Sequence, residues 1–209
     1  MNNKIISKRY TLTKENMLIG LKKSKPLKWF KSGRVIKVNN RMQSNYNYML
    51  EYNAGTNLTN GGDDIFYPDF KPMYSPKEIL LMGAFEGKYC NDQIFEFPGD
   101  WFNLDKLSPS HADPTLNYFG VKSRQSLQEW RRKKWIPCCD ADMDTRGWFE
   151  WYCRYWLGRR MPDVDKIQIR RWRSFNRHYA QYKKHTKGHI GKHPKRRQAL
   201  LQWAYPCDE

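Results

Sequence analysis

A chain of 209 residues with 38 Lys+Arg against 21 Asp+Glu carries a net charge of +17, more than solubility alone requires. Its 9 Trp, 13 Tyr and 10 Phe supply large side chains for a core and exclude disorder throughout. No run approaches the ~20 apolar residues of a membrane span, and the cationic start lacks the apolar stretch of a secretory signal, so a membrane is not expected among the partners.

The elements read as follows in chain order. Residues 1–32 are polar and Lys-rich, with Leu18, Leu21, Leu27, Trp29 and Phe30 as scattered apolar points. This composition predicts a flexible basic arm that carries at most a short helix. Gly33–Val38 is β-branched, Asn39-Asn40 is turn-like and Tyr46–Tyr52 is aromatic, a pattern that predicts a small hairpin. Glycines and prolines through 53–74 predict a loop. Ser75-Pro76-Lys77-Glu78 is a capping box with proline at the first helical position, so a helix opens there and runs towards Lys88. A short helical turn is expected around Asp100–Asp105. Ser123 is placed as the cap of a second helix that Pro137 ends, and Asp144 or Thr145 as the cap of a third, RGWFEWYCRYWLGRR. Pro194 opens a last helix, KRRQALLQWAY.

Between these lies Asp163–Lys184, where Ile169, Trp172, Phe175, Tyr179 and Tyr182 recur at spacings of three and four. That spacing puts them on one stripe of an α-helix, while Arg170, Arg173, Arg177 and Lys184 share another face with Arg171 and Lys183 beside them. The whole reads as an α+β fold, mainly α-helical: a small N-terminal β-hairpin region followed by a compact bundle of about five helices. Residues 1–44 form a basic arm and the start of the hairpin, and 45–209 a single globular domain.

Several blocks resemble a family of uncharacterised basic, Trp/Arg-rich proteins of large DNA viruses, microbes and some eukaryotes. They are SPKEILLMGAFEGKY (75–89), FPGDWF (97–102), NYFGVKSRQSLQEWRRKKWI (117–136), DTRGWFEWYCRYWLGRR (144–160), QIRRWRSFNRHYAQ (168–181) and RRQALLQWAY (196–205). The resemblance spans roughly residues 68–206 and implies a domain boundary that leaves the N-terminal 44 residues outside. It implies no activity.

Charge is segregated along the chain. Residues 1–44 hold 12 basic and one acidic side chain, 45–121 hold 4 and 11, and 122–209 hold 22 and 9. Clustered Arg and Lys on predicted helices, with a sequence pI of about 9.7, are the electrostatic footprint of a nucleic-acid binder. Guanidinium groups bind phosphate oxygens through paired hydrogen bonds, so the expected contacts are Arg131, Arg132, Lys133, Arg159, Arg160, Arg170, Arg173 and Arg177. Most of the interleaved Trp residues fall at helical spacing and are expected in the core.

An alternative reading is an enzyme acting on nucleic acid. It draws on the acidic middle, with Glu86, Asp92 and Glu96 as carboxylates for metal-assisted phosphodiester or base chemistry and His178 as a general acid or base. No P-loop, GxGxxG, HExxH or GxSxG pattern supports it. A second alternative is an assembly protein that self-associates, the acidic block of one copy against the basic block of another. His185, His189 and His193 stand four apart, but glycines interrupt the segment and no thiol or carboxylate joins them, so a basic loop is expected rather than a metal site. Asp140-x-Asp142-x-Asp144 opens like a calcium loop, but Thr145 and Trp151 occupy its Gly and Glu positions. No cofactor is expected. Five scattered cysteines, an odd number, predict reduced thiols in an intracellular setting, cytoplasmic or nuclear.

Overall fold

The computed structural model describes residues 12–55, 67–136, 144–186 and 191–208. Two antiparallel strands, β1 (Val35–Val38) and β2 (Tyr46–Met49), pair in the register Val35 to Met49 through Val38 to Tyr46. Their side chains alternate, so Ile36, Val38, Tyr46 and Tyr48 face the core while Val35 and Met49 face out. Among the described residues six α-helices join these strands: α1 (Lys14–Lys23), α2 (Pro76–Met82), α3 (Leu127–Arg132), α4 (Trp148–Trp156), α5 (Pro162–Thr186) and α6 (Pro194–Gln202). The mainly helical α+β architecture expected from the sequence is what forms, and no described helix is long and apolar enough to cross a membrane.

α4 is the centre of the molecule. Every residue from Trp148 to Trp156 is buried, as a helix that is apolar on nearly all sides requires. Phe70 meets the rings of Trp151, Tyr152, Tyr155 and Trp172, joining the loop before α2 to both α4 and α5. Burial on every side also takes Glu150 and Arg154 out of water, a cost that only paired charges and hydrogen bonds offset. Arg154 Nε donates to Glu96 Oε1 at 2.7 Å, its Nη1 to Asp144 Oδ1 at 3.0 Å and its Nη2 to Gln43 Oε1 at 2.9 Å. Arg159 completes the pairing of Asp144 at 2.7 Å. Arg146 Nη1 lies 2.9 Å from Asp92 Oδ1, and Arg41 Nε donates to Asp92 Oδ2 at 3.0 Å.

Several expectations change. The segment 12–32 is not separate from the domain: Met17 is fully buried, and Leu12 and Phe30 join the same core. α1 docks so closely that a Cβ on Gly20 would sit 2.2 Å from Ile94 Cδ1. Residues 1–11 lie outside the described part. α3 is capped by Ser126, whose side chain accepts from Glu129 N–H, while Ser123 donates to the Lys195 carbonyl. α4 has Gly147 as its N-cap; Asp144 instead accepts from Arg154 and Arg159. The α2 capping box forms as read, with the Ser75 and Glu78 side chains each satisfying the other's backbone N–H. The turn expected around Asp100–Asp105 is two 3-10 turns, Gly99–Trp101 and Leu104–Lys106.

Candidate nucleic-acid interface

α5 divides its faces as its periodicity predicts. Ile169, Trp172 and Tyr182 are buried, and Phe175 and Tyr179 pack half-buried on the core. On the opposite side Arg170, Arg173 and Arg177 are exposed. The edge between these faces forms one wall of a cleft of about 680 Å³, which α3, α6 and the segment 123–125 close from the other sides.

The floor of this cleft is aromatic. Trp203 stands at its centre, stacked on Phe175 with centroids 4.7 Å apart and planes at 9°, and on Trp148 at 4.9 Å and 26°. Trp130 lies nearly parallel to Trp203 at 6.1 Å, and Trp135 meets Trp130 edge-on at 5.3 Å. The backbone holds these rings in place. Trp172 Nε1 donates to the Trp203 carbonyl at 3.0 Å, and Trp148 Nε1 to the Gln168 carbonyl at 3.2 Å. Trp130 rests on Gly147, whose φ of +89° and bare α-carbon suit the approach; a Cβ there would meet the indole at 3.1 Å. Trp148 is buried, Trp130, Phe175 and Trp203 are half-buried, and Trp135 remains exposed.

The walls and rim are cationic. Arg124, Arg146, Arg170, Arg171, Arg177, Arg196 and His178 all line the cleft, and among the described residues no carboxylate does. Arg124 and Arg146 are neutralised from behind, by Glu86 at 3.0 Å and by Asp92. Arg170, Arg177 and Arg196 have no ion pair among the described residues, and all three are exposed. Arg171 is held by neutral oxygens only, donating to the Trp135 carbonyl at 2.6 Å and to Gln168 Oε1 at 3.3 Å. Burial, with Arg170 beside it, pulls its guanidinium below the usual value. Burial, then Arg177 and Arg196, likewise holds His178 below its ordinary 6.5, so its ring is neutral near pH 7. It packs on Phe175 at 4.7 Å.

The arrangement sorts the residues singled out from the sequence. Arg170 and Arg177 meet in the cleft, with His178. Arg173 points elsewhere and pairs with Asp69. Arg132 and Lys133 clamp Glu129, while Arg131 is exposed on α3. Arg160 covers the Tyr155 ring at 3.8 Å. Arg159, expected to contact phosphate, is only 2% exposed and spent on Asp144, because the chain beyond α4 turns back into the core. The expected catalytic carboxylates are corrected in the same way. Glu86, Asp92 and Glu96 are buried and paired with Arg124, Arg146 and Arg154, so none faces the cleft. His185 bonds the Gln181 carbonyl and His193 begins α6, while His189 lies outside the described residues. No group of three or more His, Cys, Asp or Glu among the described residues is placed to hold a metal ion.

Arg196 and Trp203 join the site without having been singled out, and Arg171 had been named only as lying beside the arginine face of α5. Their signal lay in two separate blocks, RRQALLQWAY and QIRRWRSFNRHYAQ, which only the packing of α6 on α5 brings together. No family model, curated protein or solved structure matches the chain. The functional reading therefore rests on this geometry.

Proposed function

We propose that the protein binds nucleic acid through the cleft between α3, α5 and α6. One observation carries the reading: among the described residues, Arg170, Arg177 and Arg196 stand without carboxylate partners around a floor of half-buried aromatic rings. Unpaired guanidinium groups repel one another, and an arrangement of this kind is stabilised by a bound anion. Phosphate fits best, because the planar fork of Arg matches its oxygens two at a time. Rings beneath a row of phosphate contacts have a natural partner in the bases of the same ligand.

Replacing Arg170, Arg177 and Arg196 together with Gln tests this. All three are exposed, so the melting free energy is expected to stay within about 1 kcal/mol. Affinity for nucleic acid, measured by anisotropy at low salt, is expected to fall by orders of magnitude. The slope of log affinity against log salt is expected to shrink by roughly 2–3, as loss of about three phosphate contacts implies. Unchanged affinity and slope in a folded triple variant would place the binding surface elsewhere.

A further inference from the structure

We infer that the cleft takes unpaired nucleotides of a single strand, their bases lying on the Trp130–Trp203–Phe175 surface and their phosphates on the arginine rim. This rests on the reading of the cleft as a nucleic-acid interface and goes beyond it by naming the form of the ligand. Three features of the site lead there.

First, the two kinds of contact sit at different levels. The arginines without partners are exposed at the edge, whereas Trp130, Phe175 and Trp203 are half-buried within. A duplex presents phosphates and the edges of its bases, because each base face is covered by the next pair in the stack. It would engage the rim and leave the floor unused. An unpaired base has two free faces and can follow its phosphate inward.

Second, the floor is a stack of parallel aromatic rings. Phe175 and Trp203 are parallel within 9°, and Trp130 lies within 24° of Trp203. Rings already stacked in parallel along an open cleft are extended by another flat ring in the same orientation. Every base has such a face, so the recognition tolerates sequence.

Third, the volume sets the scale. A cleft of about 680 Å³ lies within the range of roughly 300–1,000 Å³ that encloses small ligands, and it cannot admit a double helix. An acidic peptide would satisfy the arginines equally well, but its side chains give no reason for a stack of parallel aromatic rings beneath them.

The test compares three probes of equal length on the unmodified protein, by quenching of tryptophan emission and by anisotropy: an oligothymidine strand, an abasic strand with the same phosphates, and the thymidine strand annealed to its complement. The single strand is expected to bind at least about tenfold more tightly than either of the others, tenfold being about 1.4 kcal/mol and within the worth of one stacked base. Trp130→Leu is expected to bring the thymidine strand down towards the abasic affinity while leaving the abasic affinity unchanged. Equal affinity for the abasic strand or for the duplex overturns the inference and leaves a phosphate-binding surface standing. Absence of binding by all three at low salt overturns the nucleic-acid reading itself. The comparison of probes needs no variant, so it decides the question even where a tryptophan substitution unfolds the chain.

Discussion

Arginine has two opposed fates in this molecule, and Arg154 and Arg131 show both. Arg154 is fully buried, its three donor atoms directed at Glu96, Asp144 and Gln43. Arg131 is exposed on α3. Composition and spacing could not separate them, because the partner of Arg154 stands 58 residues away at Glu96. A buried ion pair is costly to form and more costly to break, since removal of one member leaves the other desolvated and alone. Arg154→Met is therefore expected to destabilise the fold by about 3–5 kcal/mol in urea unfolding, and Arg131→Gln by no more than about 0.5 kcal/mol. A small loss at Arg154 would mean that water reaches Glu96 and Asp144. The same reasoning explains why Arg159 looked like a surface cation: nothing near it in the sequence reveals that Asp144 waits 2.7 Å away.

Elements were legible in proportion to how much of their burial a regular stripe carries. α5 buries Ile169 and Trp172 at helical spacing, so its two faces were readable from sequence. α1 was not. Its apolar residues Leu18 and Ile19 are exposed, and its contact with the core is made by Met17, by half-buried Leu21 and by the bare backbone of Gly20 against Ile94. A glycine gives no hydropathy signal, so a docked helix read as a loose arm. At α3 the better signal was present, since Ser126-Leu-Gln-Glu129 is a sharper start than Ser123 and the Ser126 side chain does form the cap. The cleft lay beyond sequence reading because its rim and floor come from α3, α5 and α6 together. Docking of α1 makes a plain prediction. Met17→Ala is expected to lower stability by about 2–5 kcal/mol, the range for truncating a fully buried methionine, with a matching fall in Tm by calorimetry. No change in Tm would return α1 to the status of an arm.

At the scale of the whole molecule, the segregation of charge along the chain is resolved inside the fold. The acidic middle meets the basic ends within one chain: Glu86 pairs with Arg124, Asp92 with Arg41 and Arg146, and Glu96 with Arg154. What remains unpaired at the cleft is the excess that the acids do not reach. Asp92 is the joint of this arrangement, since it ties the connection after β1 to the segment before α4. Burial alone would raise its carboxyl, but Arg146 and then Arg41 outweigh that and hold it at about 2, below its ordinary 3.8. A carboxyl depressed in the folded state binds its proton more readily when the chain unfolds. Its contribution is thus complete above pH ~4 and is lost as pH falls towards 2, a change of about 2 kcal/mol. Asp92→Asn removes the titrating group, so the variant is expected to be less stable than the parent at pH 7. The gap between the two should then close by about 2 kcal/mol between pH 4 and pH 2, read from urea unfolding across that range. A gap that stays constant with pH would show that Asp92 is not held ionised by its arginines, and that the acidic middle does not tie the basic ends together at this point.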